Sequence, residues 1–303
     1  MAAINRGSIA KQLLPGLNAV FGMEYGSVDD EHKVLFETEN SDRAFEEEVL
    51  FTGFGSAPVK DEGEAITYDT AGEGYVSRWN HETISLAFAL TEEAMEDNLY
   101  DSFAKLRAKA LARAMANTKQ VKGAAIFNNG FSTAYPIGDA AAFFSASHPT
   151  KSDGSQSNLL SAADLSQASL ESAITAIQKI KDDRGILVGG SVESLHIAPD
   201  EWATAEALLQ SPGLPGSANN DINAIRSMGM VPKGFHINRR FTDLDAFFLK
   251  TNCPNGTKEF VRVPLQTKME PDFDTGNLRF KSRERYSFGV ADWRQWFGNA
   301  GTG

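Results

Sequence analysis

Apolar residues recur along this chain with two different periods, and the switches between them mark out its elements. Ile9, Leu13, Leu14, Leu17, Val20 and Phe21 are spaced for a short amphipathic helix, with an interruption expected at Pro15. Acidic, weakly periodic sequence follows. Residues 1–45 therefore read as an arm with too few core-forming residues to bury itself, either docked on a neighbour or loosely ordered. From Glu46 to Leu90 the pattern becomes strand-like. VLFTGFG, AITYDT, GYVSRWN and TISLAFAL are rich in β-formers, with glycine and charged turns between them. SAPVKDEGE and TAGEG read as exposed connections. The segment forms either a projecting hairpin or a compact meander, and the residues alone favour the meander, because isolated hairpins are only marginally stable.

A long helix is expected next. Thr91 is placed to cap it, and Met95, Leu99, Phe103, Leu106 and Ala110 recur at steps of three and four as far as Phe127. Acidic residues at 92, 93, 96 and 97 and later basic residues, from Lys105 to Lys122, suit the helix dipole. At ~1.5 Å per residue such a helix is roughly 50 Å long, enough to serve as a spine for other elements. A polar, glycine-rich crossing segment leads to a second amphipathic helix with Leu170, Ala173, Ile174, Ile177 and Ile180 on one face, ending by Gly185. SLHIAP reads as a buried strand. Asp200 is placed to cap a short helix bearing Trp202, Ala205, Leu208 and Leu209. GFHINR and DAFFLKT read as strands, so residues 161–251 alternate helix and strand. The chain ends in a hairpin with its turn at residues 274–277.

Composition narrows the class. The chain has 303 residues, of which 42% are hydrophobic and 23% charged, an ordinary soluble profile. Cys253 is the one cysteine, so no intrachain disulfide forms, which suits a reducing compartment. No apolar run approaches the ~18 to 20 residues of a membrane span, and no signal-peptide pattern opens the chain. The net charge of −11 is uneven: residues 24–64 hold 13 acidic side chains against Lys33, Arg43 and Lys60. Such localised acidity suits a solvated arm, or a segment that meets a basic surface. Strong overall acidity argues against a dedicated DNA-binding surface.

Catalytic patterns are sparse. There is no GxSxG, HExxH or GxxxxGK[ST]. GFG at 53–55 and GEG at 72–74 lack the third glycine and the strand-to-helix setting of a dinucleotide site. The five histidines are scattered, and none pairs with Cys253 at metal-ligand spacing. His148 beside Ser147 is the one Ser–His candidate, and a local hydrogen-bonding role outweighs it. No cofactor or metal site is expected.

One charge pattern is specific. Arg279, Lys281, Arg283 and Arg285 alternate along a strand, which places all four on one face. That face is solvated, or it receives a neighbour's acidic segment, or it meets packaged nucleic acid.

SDRAFEEEVLFTGFGSAPVKDEGEAITYDTAGEGYVSRWNHETISLAFALTEEAMEDNLY resembles the matching stretch of tailed-bacteriophage major capsid proteins, including relatives of the Mu-like major head subunit. FFSASHPTKSDGSQSNLLSAADLSQASLESAI, LHIAPDEWATAEALLQS and RFKSRERYSFGVADWRQWFG resemble later signatures of the same group, in the same order along the chain. The resemblance implies the α+β fold shared with the herpesvirus shell floor, and it reverses the preference for a meander. Mapped onto this chain it gives an N-terminal arm (1–45), a projecting E-loop hairpin (46–85), a peripheral domain with the spine helix (86–160, with return strands at 262–303) and an axial domain (161–261). It implies a non-enzymatic head protein, made in a bacterial host's cytoplasm and resident in the virion. Such a protein self-assembles as hexamers and pentamers into an icosahedral shell around double-stranded DNA held non-specifically, and meets a portal protein. No membrane is involved. Since no long leader is evident, a separate scaffolding protein or none is expected, and decoration proteins are candidate partners. Some members crosslink a lysine to a neighbour's asparagine; Lys60 lies near the loop tip, with no partner identifiable. Subunit contacts are expected from Glu46, Glu47, Glu48, Lys60, Asp61, Glu62 and Glu64 on the acidic side, and from Arg279, Lys281, Arg283 and Arg285 on the basic side. An encapsulin-like or other shell protein, and a cytosolic enzyme with a site near His148, are the alternatives.

Overall fold

The computed structural model describes residues 6–91, 100–151, 154–213, 221–272 and 274–302, with side chains left aside at 6–15 and 100–103. The predicted cap at Thr91 and the apolar positions Met95, Leu99 and Phe103 belong to a stretch largely outside the described residues. Helix α1 (Arg6–Tyr25) runs unbroken through Pro15. Proline removes one hydrogen bond of the ladder, while Leu17 and Phe21 of the same helix are buried in the core, and that packing holds the helix together. A short helix, α2 (His32–Leu35), and strand β1 (Glu37–Asn40) follow.

Strands β2 (Phe45–Thr52) and β3 (Gly72–Asn80) pair antiparallel, and only His81 separates β3 from β4 (Glu82–Leu90). The expected strand at 65–70 is absent: residues 53–71 are exposed non-strand chain. Among the described residues no strand pairs with AITYDT, whose tie to the facing chain is the Asp69 side chain accepting Gly55 N–H, so its β-propensity goes unused. Helix α3 (Tyr100–Asn128) spans 29 residues, about 43 Å at ~1.5 Å per residue. Its buried stripe is Ala104, Ala108, Leu111, Ala112, Met115 and Ala116, while the expected Leu106 and Ala110 face solvent. The alanines win because α1 packs alongside, and small side chains let two helices approach closely.

Two sheets flank this spine. The first has the order β1-β10-β11-β4, with β10 (Thr257–Pro271) and β11 (Leu278–Val290) forming a long antiparallel hairpin. Its turn is closed by Asp272 N–H donating to Asn277 O at 2.8 Å, with Gly276 at φ +68°. A small two-stranded pair, β5 (His148–Pro149) and β6 (Ser155–Gln156), lies in the crossing segment. Helix α4 (Gln167–Gln178) buries Leu170, Ala173, Ile174 and Ile177 as its periodicity predicts. The second sheet has the order β12-β9-β7-β8, from β7 (Val192–Ile197), β8 (Phe235–Ile237), β9 (Phe247–Thr251) and β12 (Trp296–Asn299). The C-terminal strand thus joins the sheet of residues 192–251, not the long hairpin that precedes it. Helices α5 (Trp202–Gln210) and α6 (Ala224–Ser227) lie between β7 and β8. Asp200 does not cap α5; it sits inside a 3-10 turn at Pro199–Glu201, and Trp202 is exposed.

The spine helix serves two cores. Near its start, Ala104, Ala108, Leu111 and Ala112 meet Leu17 and Phe21 of α1 and Leu90, Leu278 and Phe280 of the first sheet. At its end, Phe127 is ringed by Phe36, Phe143, Phe144, Phe241, Phe248 and Trp296, with the Trp296 ring 4.7 Å away. Burial of such aromatics is the largest apolar contribution per residue.

Candidate assembly surfaces

The hairpin of β2 and β3 is fixed at its base and free at its tip. Trp79 is buried against Phe260, with ring centroids 5.2 Å apart. It fits because β11 has a glycine there: a Cβ at Gly289 would lie 2.0 Å from the indole nitrogen. His81, at the pivot into β4, bonds Ser287 Oγ through Nδ1 and Ser41 Oγ through Nε2, both at 2.9 Å. Burial first, and the Arg285 charge second, push its pKa down, so the neutral ring is favoured. Further out, Asp69 accepts Gly55 N–H at 2.7 Å and pairs with Arg184 at 2.8 Å, and Lys151 Nζ donates to Glu73 O at 2.7 Å. Beyond these ties Lys60, Asp61, Glu62 and Glu64 are exposed, and so are Phe54, Val59, Ile66 and Tyr68. Val59 and Tyr68 are each 92% exposed, which nothing within this subunit explains.

The predicted acidic residues divide into two groups. Glu46 accepts from Ser41 Oγ at 2.6 Å, Glu47 lies 3.5 Å from Arg78, and Glu48 pairs with buried Lys258, which also holds Glu39 at 2.9 Å. Those glutamates are committed to their own chain. Asp61, Glu62 and Glu64 at the tip are not. The basic strand divides too. Alternation along β11 places Arg279, Lys281 and Arg283 outward, with Arg285 half-buried. Arg279 pairs with Asp272 of the turn, whereas Lys281 and Arg283 have no ion-pair partner among the described residues. Their cross-strand neighbours are Lys268 and Gln266 on β10 and the small Ala87 and Ser85 on β4. The result is a low, cationic sheet face. Sequence periodicity found this face, but it carried no signal for Asp69–Arg184, for Lys151 with Glu73 or for the Lys258 partner of Glu48, which lie far apart along the chain.

The candidate Ser–His site does not form. His148 is fully buried, with Nδ1 on Asp139 Oδ2 at 2.6 Å, Nε2 on Asn158 Oδ1 at 2.9 Å and its ring stacked on Trp293. Ser147 instead bonds Ser155 Oγ at 2.7 Å. Asn158 donates to the carbonyls of Phe143 and Trp296, so this network ties the crossing segment to the C-terminal turn. Among the described residues no group of three or more His, Cys, Asp or Glu is placed to hold a metal ion. No described helix is long and apolar enough to cross a membrane. A groove of about 810 Å³ opens beside Trp79, Lys122, Ile126, Tyr135 and Phe288.

The sequence profile of the family described as phage capsid protein matches residues 76–299. The chain belongs to the phage capsid protein family. No curated protein matches it. Solved structures share its fold at low identity. A virus-like particle from Pyrococcus furiosus is 10% identical, with a TM-score of 0.54 over 94% of this chain and 98% of that one. The capsid of an empty GTA particle is 12% identical, with a TM-score of 0.57 over 91% of each chain. The procapsid of bacteriophage JBD30 is 13% identical, with a TM-score of 0.54 over 98% of this chain and 76% of that one. The capsid protein thus has the α+β fold of tailed-phage major capsid proteins. Its role is structural, as a shell protein of the virion. The spine helix, the long β10–β11 hairpin and the projecting segment 53–71 are parts of that capsid protein.

Proposed function

We propose that this capsid protein assembles through its projecting segment into hexamers and pentamers that close an icosahedral shell around double-stranded phage DNA. The observation that supports this most directly is segment 53–71, which carries exposed aromatic and aliphatic side chains next to an acidic tip and has no core of its own. On a second copy, the acidic tip at Asp61, Glu62 and Glu64 meets the cationic face of Lys268, Lys281 and Arg283, while Phe54, Val59, Ile66 and Tyr68 supply apolar burial. Each contact is weak, and the shell is stable because every subunit makes many of them. Residues 46–85 act as the projecting loop, 86–160 with the long hairpin as the peripheral part, and 161–261 with β12 as the axial part. Synthesis takes place in the host cytoplasm. A portal protein, a separate scaffolding protein and decoration proteins are the further partners. DNA is held without sequence preference, through the charge of its phosphates.

Particle imaging tests this reading. The expressed chain sediments as rings or closed shells, and a small fixed oligomer as the sole species would overturn the proposal. Charge reversal at Arg283 and Arg285 impairs shell formation more than subunit folding; normal particles from that double variant would remove the basic strand from the contact. The likeness to the Pyrococcus furiosus particle favours a second reading, a shell with other contents. Purified particles protecting protein cargo and no DNA would support that one.

A further inference from the structure

Beneath the cationic face, β11 presents Ser282, Glu284 and Tyr286 inward at alternate positions, all buried. Ser282 Oγ, Glu284 Oε1 and Tyr286 Oη have no hydrogen-bond partner among the described residues. Three such groups at alternate positions of one strand leave a buried polar row without partners. Five other elements close over it. Helix α1 contributes Tyr25, whose hydroxyl donates to Glu284 Oε2 over a long 3.4 Å. Helix α2 contributes His32, and α3 contributes Lys119, whose Nζ lies 5.1 Å from the Tyr286 ring centroid. Strand β10 contributes Glu259. Strand β4 places Ile84 opposite Glu284 and Glu82 opposite Tyr286.

The two carboxylates in this junction are treated unequally. Glu259 takes Lys119 Nζ at 2.6 Å, His32 Nε2 at 3.4 Å and the Thr38 hydroxyl at 3.1 Å. Glu284 is left with one neutral phenol and a bare oxygen. A carboxylate so placed favours its uncharged form. Burial is the main cause, Glu259 adds to it, and Lys119, Tyr25 and His32 only partly offset it, so the Glu284 carboxyl is pushed up to about 7.

We propose that Glu284 is a proton-operated latch on the N-terminal helix: neutral, it lets Tyr25 close the junction, and ionised, it draws water in and frees the C-terminal part of α1. Helix α1 is the element that yields: β10 and β4 are held in a sheet ladder, α3 is the spine, and α2 is anchored by Leu35 in the core and by His32 on Gln120. Its remaining ties are Leu17 and Phe21 in the core, Thr267 donating to Asn18 at 2.8 Å, and Arg113 with Glu24 at 2.5 Å. The folded-state value lies above the ordinary 4.5. The closed state is therefore fully favoured below pH 4.5 and weakens as pH rises through about 7.

Hydrogen exchange on the full-length subunit, corrected for intrinsic rates, tests the latch. Opening of residues 18–25 rises by more than roughly tenfold between pH 5 and pH 7 and levels off above about pH 8. In Glu284→Gln, whose amide cannot ionise, the protection of α1 stays flat over that range. A pH-independent wild type overturns the proposal. So does a Glu284→Gln variant with the wild-type profile, which would assign the titration to another group. Should the variant not fold, infrared spectroscopy of the wild type decides the matter: a buried neutral carboxylic-acid carbonyl band is present at pH 5 and fades in step with α1 protection. Absence of that band at pH 5 overturns the latch.

Discussion

Segment 53–71 and the aromatic cluster around Phe127 draw on the same kinds of residue and use them in opposite ways. In the cluster, Phe127, Phe248 and Trp296 are enclosed on every side. In the segment, Phe54, Ile66 and Tyr68 stand in solvent, on chain tied down only near its base. The cluster can be completed by one subunit because α3, β9 and β12 converge on it. The segment has no second layer to pack against, and burial needs another surface. The difference separates what folds the subunit from what a shell must add, and substitutions in the two regions should therefore fail in different ways.

Trp296→Ala should be the most damaging change, lowering subunit stability by about 3–5 kcal/mol as read by denaturant unfolding, with assembly lost only as a consequence. Asn158→Ala should follow at about 3 kcal/mol, since the carbonyls of Phe143 and Trp296 and the ring of His148 lose buried partners together. An unfolding midpoint unchanged in either variant would show that the cluster is not the folding core. Glu259 gives a smaller, pH-dependent effect. Burial alone would raise its pKa, but the His32 hydrogen bond and Lys119 outweigh burial and pull it down to about 2. Its contribution is therefore present above pH 4.5 and lost as pH falls toward 2, the reverse of Glu284. Glu259→Gln should cost on the order of 2 kcal/mol at neutral pH and flatten the acid limb of the stability curve.

Effects in the projecting segment should be smaller still for folding. Arg184→Ala removes a surface ion pair with Asp69, so the unfolding midpoint should stay close to wild type, while proteolytic cleavage within residues 53–71 speeds up. Reversing Asp61, Glu62 and Glu64 to lysine should leave stability within about 0.5 kcal/mol of wild type yet abolish shells in sedimentation. Combining that reversal with Lys281→Glu and Arg283→Glu should restore particles. Failure of the combination to do so, with both parents folded, would break the pairing of tip and sheet face.

Much of the fold was legible where a single face sets the pattern. The inward face of α4 and the alternation of Arg279, Lys281 and Arg283 follow directly from periods of 3.6 and 2. The spine helix was legible as a helix but not in its orientation. Leu106 looked like a core position and is exposed, because α1 lies against the alanines and no pattern within α3 announces its partner. The candidate surface was half legible. The cationic strand and the acidic run were visible, but Glu48 is held by Lys258, 210 positions away, and is not part of a free acidic surface.

The sequence by itself determined the elements, the uneven charge and the sparseness of catalytic patterns, because those depend on neighbours a few residues apart. Tertiary structure alone decided which charges remain unpaired. It also placed Glu284 without a cation while Glu259 took Lys119 and His32, and it left segment 53–71 without a core. Each of those outcomes depends on groups brought together across long stretches of chain, where desolvation and pairing are settled by geometry rather than by order along the sequence.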